Sequence, residues 1–252
     1  MHKQLNPVYR LNQFDIMRRK ILDISCLHCK SRVHTIFKGS NIEEEEELNR
    51  VKSCSLYKKG QYIFTENAYP LGLYCINQGK VKLATMGNNG KEQILRLSKD
   101  GDILGYRSLL SEERYHCSAI AMEDCSICFV PKDMLFKMLH ENSKISIELL
   151  KLLASNLRQA EEQIISMAQK NVRERVAEAL LFFKATYGLD SESNALNINF
   201  NREEIADFVG TSTESAIRLL AEFNNDGIIK LEGKKIIIVD LKKLIKTADL
   251  FA

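Results

Sequence analysis

The sequence predicts an α+β chain: an N-terminal antiparallel β-barrel or jelly-roll, one long helix, then two short helices and a hairpin. Three observations carry that expectation. Between Cys54 and Pro131, short β-type runs recur roughly every ten residues with turn residues between them. Leu150, Leu153, Leu157, Ala160, Ile164 and Met167 repeat at 3-4-3-4-3, the rhythm of a helical seam. Around Gly210, two short amphipathic stretches meet at a glycine corner.

At 252 residues, with 45% hydrophobic and 27% charged residues, the chain can build one large domain or two modest ones. Its apolar runs fall far short of a membrane span, and Met1–Asn49 is polar and mixed rather than a signal sequence. The expectation is a soluble cytoplasmic protein with no membrane partner. Seven scattered cysteines do not form a secreted disulfide framework; reduced thiols or metal ligation suit them better.

The elements follow in order. Residues 1–53 form a leader containing Cys26-Leu27-His28-Cys29 and the acidic run Glu43–Glu47, read as a solvated helix face or helix start. Residues 54–140 form the β domain. Its expected strands are Tyr62–Thr65, Leu73–Asn77, Val81–Met86, Gln93–Leu97, His116–Met122 and Ser126–Val130. Lys59-Gly60, Gln78-Gly79, Gly87–Gly90, Asp100–Asp102 and Glu123-Asp124 supply the turns. Residues 141–170 form the long helix. Such a stripe can bury itself against a barrel, but a narrow a/d seam suits a partner helix better, so a parallel homodimer is favoured.

Residues 171–252 form the last domain, opening with a helix over Val172–Tyr187. Ile205, Phe208 and Val209 mark the first short helix, Gly210 stops it, and Thr211, Ser212 and Thr213 offer hydroxyl caps. Ala216, Leu219, Leu220 and Phe223 give the second helix its packing face. Two β-rich runs then flank Glu232–Lys234, a hairpin with a glycine turn. The whole is a winged helix-turn-helix, whose second helix enters the major groove of double-stranded DNA.

Thr213, Glu214, Ile217 and Arg218 lie off the packing face and are the candidate base readers, with Ser212 at the cap and Arg202 and Lys234 beside them. Net charge is only +3, weak for a nucleic-acid binder, so the basic groups must be placed locally. Lys170, Arg173, Arg202, Lys230, Lys234 and Lys235 are expected near phosphates while Glu203, Glu222 and Asp226 face away.

The chain resembles the CRP/FNR family of bacterial transcription regulators over nearly all of Cys54–Asp240. The resemblance is carried by Lys59–Phe64, Gly79–Lys82, Gly101–Gly105, Asn171–Arg175 and the Glu214…Arg218 helix, in the family's order. It implies a homodimer on an inverted-repeat site, surface contacts with RNA polymerase, and a sensor in the β domain that controls DNA affinity. It also implies that Glu214 and Arg218 read a G·C pair. Residues four apart share a helix face, a carboxylate accepts from cytosine N4, and arginine bonds guanine O6 and N7.

For the sensor, the resemblance offers two effectors. The family's cyclic-nucleotide pocket holds the phosphate with an Arg-Ser pair, where this chain reads Tyr115-His116-Cys117-Ser118; only Arg107 is left to substitute, which argues against cyclic AMP. Oxygen-sensing members hold an iron–sulfur cluster through N-terminal cysteines and one from a barrel strand. Cys26, Cys29 and Cys128 fit that pattern as a metal site, with Thr35 and Leu22 where further ligands stand in the family. The fourth ligand stays unassigned: His28, His34, Cys54 or Cys117 would complete a site, and zinc accepts the same mixture. Cys125, three residues from Cys128, points to the opposite face of a strand. Thiol redox sensing, or a small ligand with no metal, are the other readings.

An enzyme is the competing class. Cys26 and Cys29 have the spacing of a cytosolic thiol-disulfide oxidoreductase, but such motifs open a helix beside a βαβ unit, and this one sits in a charged leader. The sequence carries no nucleotide loop, hydrolase His pair or nucleophile elbow.

Overall fold

The computed structural model describes residues 21–87 and 90–249; the first twenty residues of the leader, the Asn88-Asn89 centre of one expected turn and the last three residues lie outside it. Eleven strands are assigned among the described residues: β1 Ile21–Leu22, β2 Ser53–Tyr57, β3 Tyr62–Phe64, β4 Gly72–Gln78, β5 Val81–Met86, β6 Glu92–Ser98, β7 Ile103–Leu104, β8 Ser118–Ala121, β9 Cys125–Pro131, β10 Ile229–Glu232 and β11 Lys235–Ile238. The helices are α1 Ile42–Val51, α2 Tyr106–Leu110, α3 Lys132–Glu141, α4 Ser143–Gln169, α5 Val172–Tyr187, α6 Arg202–Val209, α7 Thr213–Asn225 and α8 Leu241–Thr247. This is the expected α+β order. Two compact units result, one ending at Lys82 and resuming over Ser98–Ser146, the other comprising Leu83–Leu97 and the chain from Ile147 onward.

In the first unit, a five-stranded sheet runs β1-β2-β9-β4-β7, and every neighbouring pair is antiparallel. β3 pairs antiparallel with β8. Strand β2 was not among the expected runs: Ser53-Cys54-Ser55-Leu56-Tyr57 carries two serines and no apolar run, so its strand character comes from pairing with β9. Leu73, Ile76, Leu104 and Ile127 are fully buried; each such side chain contributes about 1.5–3 kcal/mol by leaving water. Gly79, at φ 113°, permits the tight approach of β9: a Cβ there would lie 2.5 Å from the Cys125 sulfur.

The leader lies along this sheet. Ser31 donates to the Asn77 carbonyl at 2.6 Å, and two 3₁₀ turns, Lys30–His34 and Ile36–Gly39, lead into α1. Asn41 caps α1 through a reciprocal box with Glu44. The acidic run is more than a solvated face: Glu45 is buried and pairs with Arg32.

The second unit packs around Val176, Leu180, Phe183, Ile205, Leu220 and Phe223, all fully buried. Asn171 opens α5 with a second capping box, to Glu174. On α4 the expected seam stands exposed in the single chain: Leu150 is 63% exposed, Leu157 62% and Ile164 67%, with Ala160 and Met167 also exposed and Leu153 half-buried. Leu83–Leu97, the greater part of the β5–β6 ribbon, belongs to this unit and reaches the corner between α6 and α7. Lys91 donates to the Thr211 carbonyl, and Gln93 Nε2 donates to the Asp207 carbonyl at 2.6 Å.

Candidate nucleic-acid interface and cysteine face

The corner is built from residues that leave the chain little choice. Gly210 takes the left-handed conformation, φ 73° and ψ 50°, which stops α6 without a Cβ penalty. Its N–H and that of Thr211 both donate to the Ala206 carbonyl. Ser212 then accepts from the Ser215 N–H and starts α7. Ala216, Leu219, Leu220 and Phe223 turn inward and are buried, as their spacing predicts. Their burial aims Glu214, Ile217 and Arg218 outward, all exposed; Ser212 is exposed at the cap and Thr213 is half-buried.

Arg218 is 70% exposed, with a 3.5 Å approach to Glu222. Glu222 is held more closely by Arg173, at 2.7 Å. Bonding of the Glu214 carboxylate to its own N–H and to the Ser212 hydroxyl holds it below the usual carboxylate range, and Lys91 adds to this. Exposure, charge and a shared face therefore coincide at the two positions.

The flanking cations divide. Lys234 stands exposed in the two-residue turn between β10 and β11, next to exposed Lys235, which pairs in register with Glu232. Arg202 is half-buried. One of its nitrogens donates to the Gly233 carbonyl at 3.2 Å, and Nη1 is buried without a partner. It braces the wing turn rather than projecting from it. Three other expected phosphate contacts are engaged inside the chain. Arg173 bonds Glu222 and Asp226 and lies over the Phe223 ring, Lys170 bonds Glu178 and the Ala248 carbonyl, and Lys230 pairs with Glu232. Glu222 and Asp226, expected simply to face away, are the groups that hold Arg173.

Arg175 is the residue whose part the sequence did not disclose. Its Nε donates to the Val209 carbonyl, Nη1 to Lys170 and Nη2 to Gly210, joining the ends of two helices at the corner. Its only signal was membership of the Asn171–Arg175 run.

The three cysteines expected as a metal set are placed differently from one another. Cys54 and Cys128 stand opposite each other on β2 and β9, with Cα atoms 4.0 Å apart, and are joined as a disulfide. In this structure Cys128 is therefore bonded to Cys54 rather than to a site shared with Cys26 and Cys29. Among the described residues, no three His, Cys, Asp or Glu side chains are grouped to hold a metal ion. One pair of cysteines is thus joined, while Cys26, Cys29, Cys75, Cys117 and Cys125 are free thiols. Cys125 points away from this group, bonded to the Lys80 and Glu123 carbonyls. At the stretch that replaces the Arg-Ser pair, Tyr115 is buried and stacks on Phe64 with centroids 4.0 Å apart, while Arg107 is exposed on α2.

Comparison with known proteins places these features together. Residues 55–142 match the cyclic nucleotide-binding domain family, and residues 174–247 match the Crp-like helix-turn-helix domain. The chain is 30% identical over 215 residues to a Mycobacterium tuberculosis protein described as a CRP-like cAMP-activated global transcriptional regulator, covering 84% of this chain and 96% of the relative. It is 26% identical over 234 residues to an anaerobic regulatory protein of Haemophilus influenzae, covering 90% and 91%. In fold it is similar to FixK2 from Bradyrhizobium japonicum, with a TM-score of 0.72 at 24% identity over 80% of this chain and all of the other.

Proposed function

The chain belongs to the CRP/FNR family of transcription regulators, and from that premise we propose that it binds DNA sequence-specifically as a homodimer on an inverted-repeat operator. The observation that carries this reading is the α7 surface, where burial of Ala216, Leu219, Leu220 and Phe223 leaves Glu214 and Arg218 exposed one turn apart. Arginine bonds guanine O6 and N7, the glutamate accepts from cytosine N4, and together they read one G·C step. Lys234 at the wing turn supplies a phosphate contact beside it.

The exposed Leu150, Leu157 and Ile164 on α4 support two-fold pairing through the long helix. A two-fold dimer presents two α7 helices about 34 Å apart, one turn of duplex, and hence reads an inverted repeat. DNA affinity is set by the N-terminal domain, the regulator works with RNA polymerase in the cytoplasm, and no helix among the described residues is long and apolar enough to cross a membrane.

The test is direct. An operator is selected from a pool of random duplexes, and Arg218→Ala is compared with the parent protein in gel-shift titrations. The variant is expected to lose about 1–3 kcal/mol on the selected site and far less on random DNA. Equal loss on both would reduce Arg218 to a phosphate contact and remove it as a base reader.

A further inference from the structure

Five of the seven cysteines converge on one face of the five-stranded sheet. Cys54 is opposed to Cys128 across β2 and β9, and Cys128 is opposed to Cys75 across β9 and β4. Opposed residues of antiparallel strands point to the same side, so the three sulfurs form a row. The leader lies over that row. Cys26 and Cys29 line one cavity with Cys75, Cys128, Lys52 and Arg32. The Cys29 N–H donates to the Cys26 carbonyl at 3.2 Å, a turn that holds their Cα atoms within disulfide reach.

We propose that Cys26 and Cys29 form a dithiol that exchanges with the Cys54–Cys128 disulfide, making this face a thiol–disulfide exchange centre. Cys128 lines the cavity and Cys54 does not, so the Cys128 sulfur is the one the dithiol reaches. The Cys26 thiolate attacks the Cys128 sulfur; a Cys26–Cys128 bond forms, the Cys54–Cys128 bond breaks, and Cys54 leaves as thiolate. The Cys29 thiolate then attacks the Cys26 sulfur, forming Cys26–Cys29 and releasing Cys128 as thiolate. The dithiol loses two electrons and two protons, and Cys54 and Cys128 gain both, so no outside oxidant is needed.

The surroundings distinguish the sulfurs. Burial raises the Cys26 thiol above its ordinary value, and the Lys52 ammonium, by its charge and a hydrogen bond, and Arg32 offset only part of that rise. Cys29 donates to Asn77 Oδ1 at 3.3 Å, which orients it within the cavity. Desolvation pushes the Cys75 thiol well up, leaving it the poorest nucleophile of the group. Disulfides in reducing compartments are usually transient or redox-sensing, which suits a bond beside a ready dithiol.

The exchange belongs to the cysteines alone, so its test involves no DNA and is independent of the Arg218 experiment. Full-length protein is reduced, re-oxidised to one disulfide per chain with oxidised glutathione, acid-quenched at intervals, alkylated, and mapped by mass spectrometry without reduction. Cys54–Cys128 and Cys26–Cys29 peptides should both appear and settle to a constant ratio. In Cys29→Ser, the Cys26–Cys128 mixed disulfide should rise from a trace to a persistent species in equilibrium with Cys54–Cys128, because only Cys54 can then resolve it. Cys75→Ser, checked for native circular dichroism, should exchange as the parent does. Finding Cys54–Cys128 alone at all times, with no Cys26 cross-link in folded Cys29→Ser, overturns the proposal. So does loss of exchange in folded Cys75→Ser, or a zinc ion retained through Cys26 and Cys29 by reduced protein that does not exchange.

Discussion

Arg175 donates from Nη2 to the carbonyl of Gly210 at 3.4 Å, linking the first turn of α5 to the glycine at the helix-turn-helix corner. The same guanidinium holds the Val209 carbonyl at 3.2 Å and the Lys170 carbonyl at 2.9 Å. Helix C-termini end in unpaired carbonyls that carry the negative end of the helix dipole, and a fixed cation satisfies both needs. The corner is thus positioned by α5 as well as by its own turn residues.

Arg175→Ala is expected to cost about 2 kcal/mol, the usual scale for hydrogen bonds to a charged group when the partners are left behind. Arg175→Lys should recover less than half, because a point ammonium cannot span three carbonyls as a planar fork does. Urea midpoints at unchanged slope measure both.

Gly210→Ala tests the corner itself. The nearest atoms to an added methyl, Met167 Cε and Gln93 Oε1, lie at 3.5 and 3.6 Å, so there is room. The cost comes from φ 73° alone and should be about 1–2 kcal/mol. Gly210→Asn should cost less, since asparagine tolerates the left-handed region. Equal melting temperatures for alanine and asparagine variants would locate the cost elsewhere.

What could be read from the sequence was whatever repeats locally. Ala216, Leu219, Leu220 and Phe223 advertise the buried side of α7, and Gly233 advertises the wing turn, because periodicity and turn chemistry act over a few residues. Arg175 was opaque because its partners are backbone carbonyls, two of them more than thirty residues away. Cys54 and Cys128 are 74 residues apart, and only the register of β2 with β9 brings them together. The internal pairing of Lys170 and Arg173 was hidden for a related reason. Charge was counted correctly, but Glu178, Glu222 and Asp226 claimed those cations in three dimensions.

The α4 seam makes a separate prediction. Leu157 and Ile164 lie seven residues apart, on one stripe, and both are exposed in the single chain. If they pair with a second copy, a Leu157→Glu, Ile164→Glu double variant places four carboxylates in one seam. Sedimentation equilibrium should then give the monomer mass, against the dimer mass for the parent. A double variant that sediments as the parent does would remove this stripe as the dimer contact.

Glu214 carries the pH expectation and, in the proposed reading, part of the base preference. Its folded pKa is depressed below the ordinary 4.5, first by its own N–H and then by the Ser212 hydroxyl. A depressed carboxylate contributes stability that is complete above the unfolded value and is lost as pH falls below 4.5 through the folded value. Near neutrality the group is therefore always charged, and operator affinity between about pH 6 and 8 should show no step from it. Glu214→Gln keeps the shape but weakens acceptance from cytosine N4. It should bind the selected operator about 1–3 kcal/mol more weakly while random DNA is little changed, and should narrow the gap between operators with and without the G·C pair. Gel shifts on paired operators measure this, and undiminished discrimination in Glu214→Gln would leave Arg218 as the sole base reader of the pair.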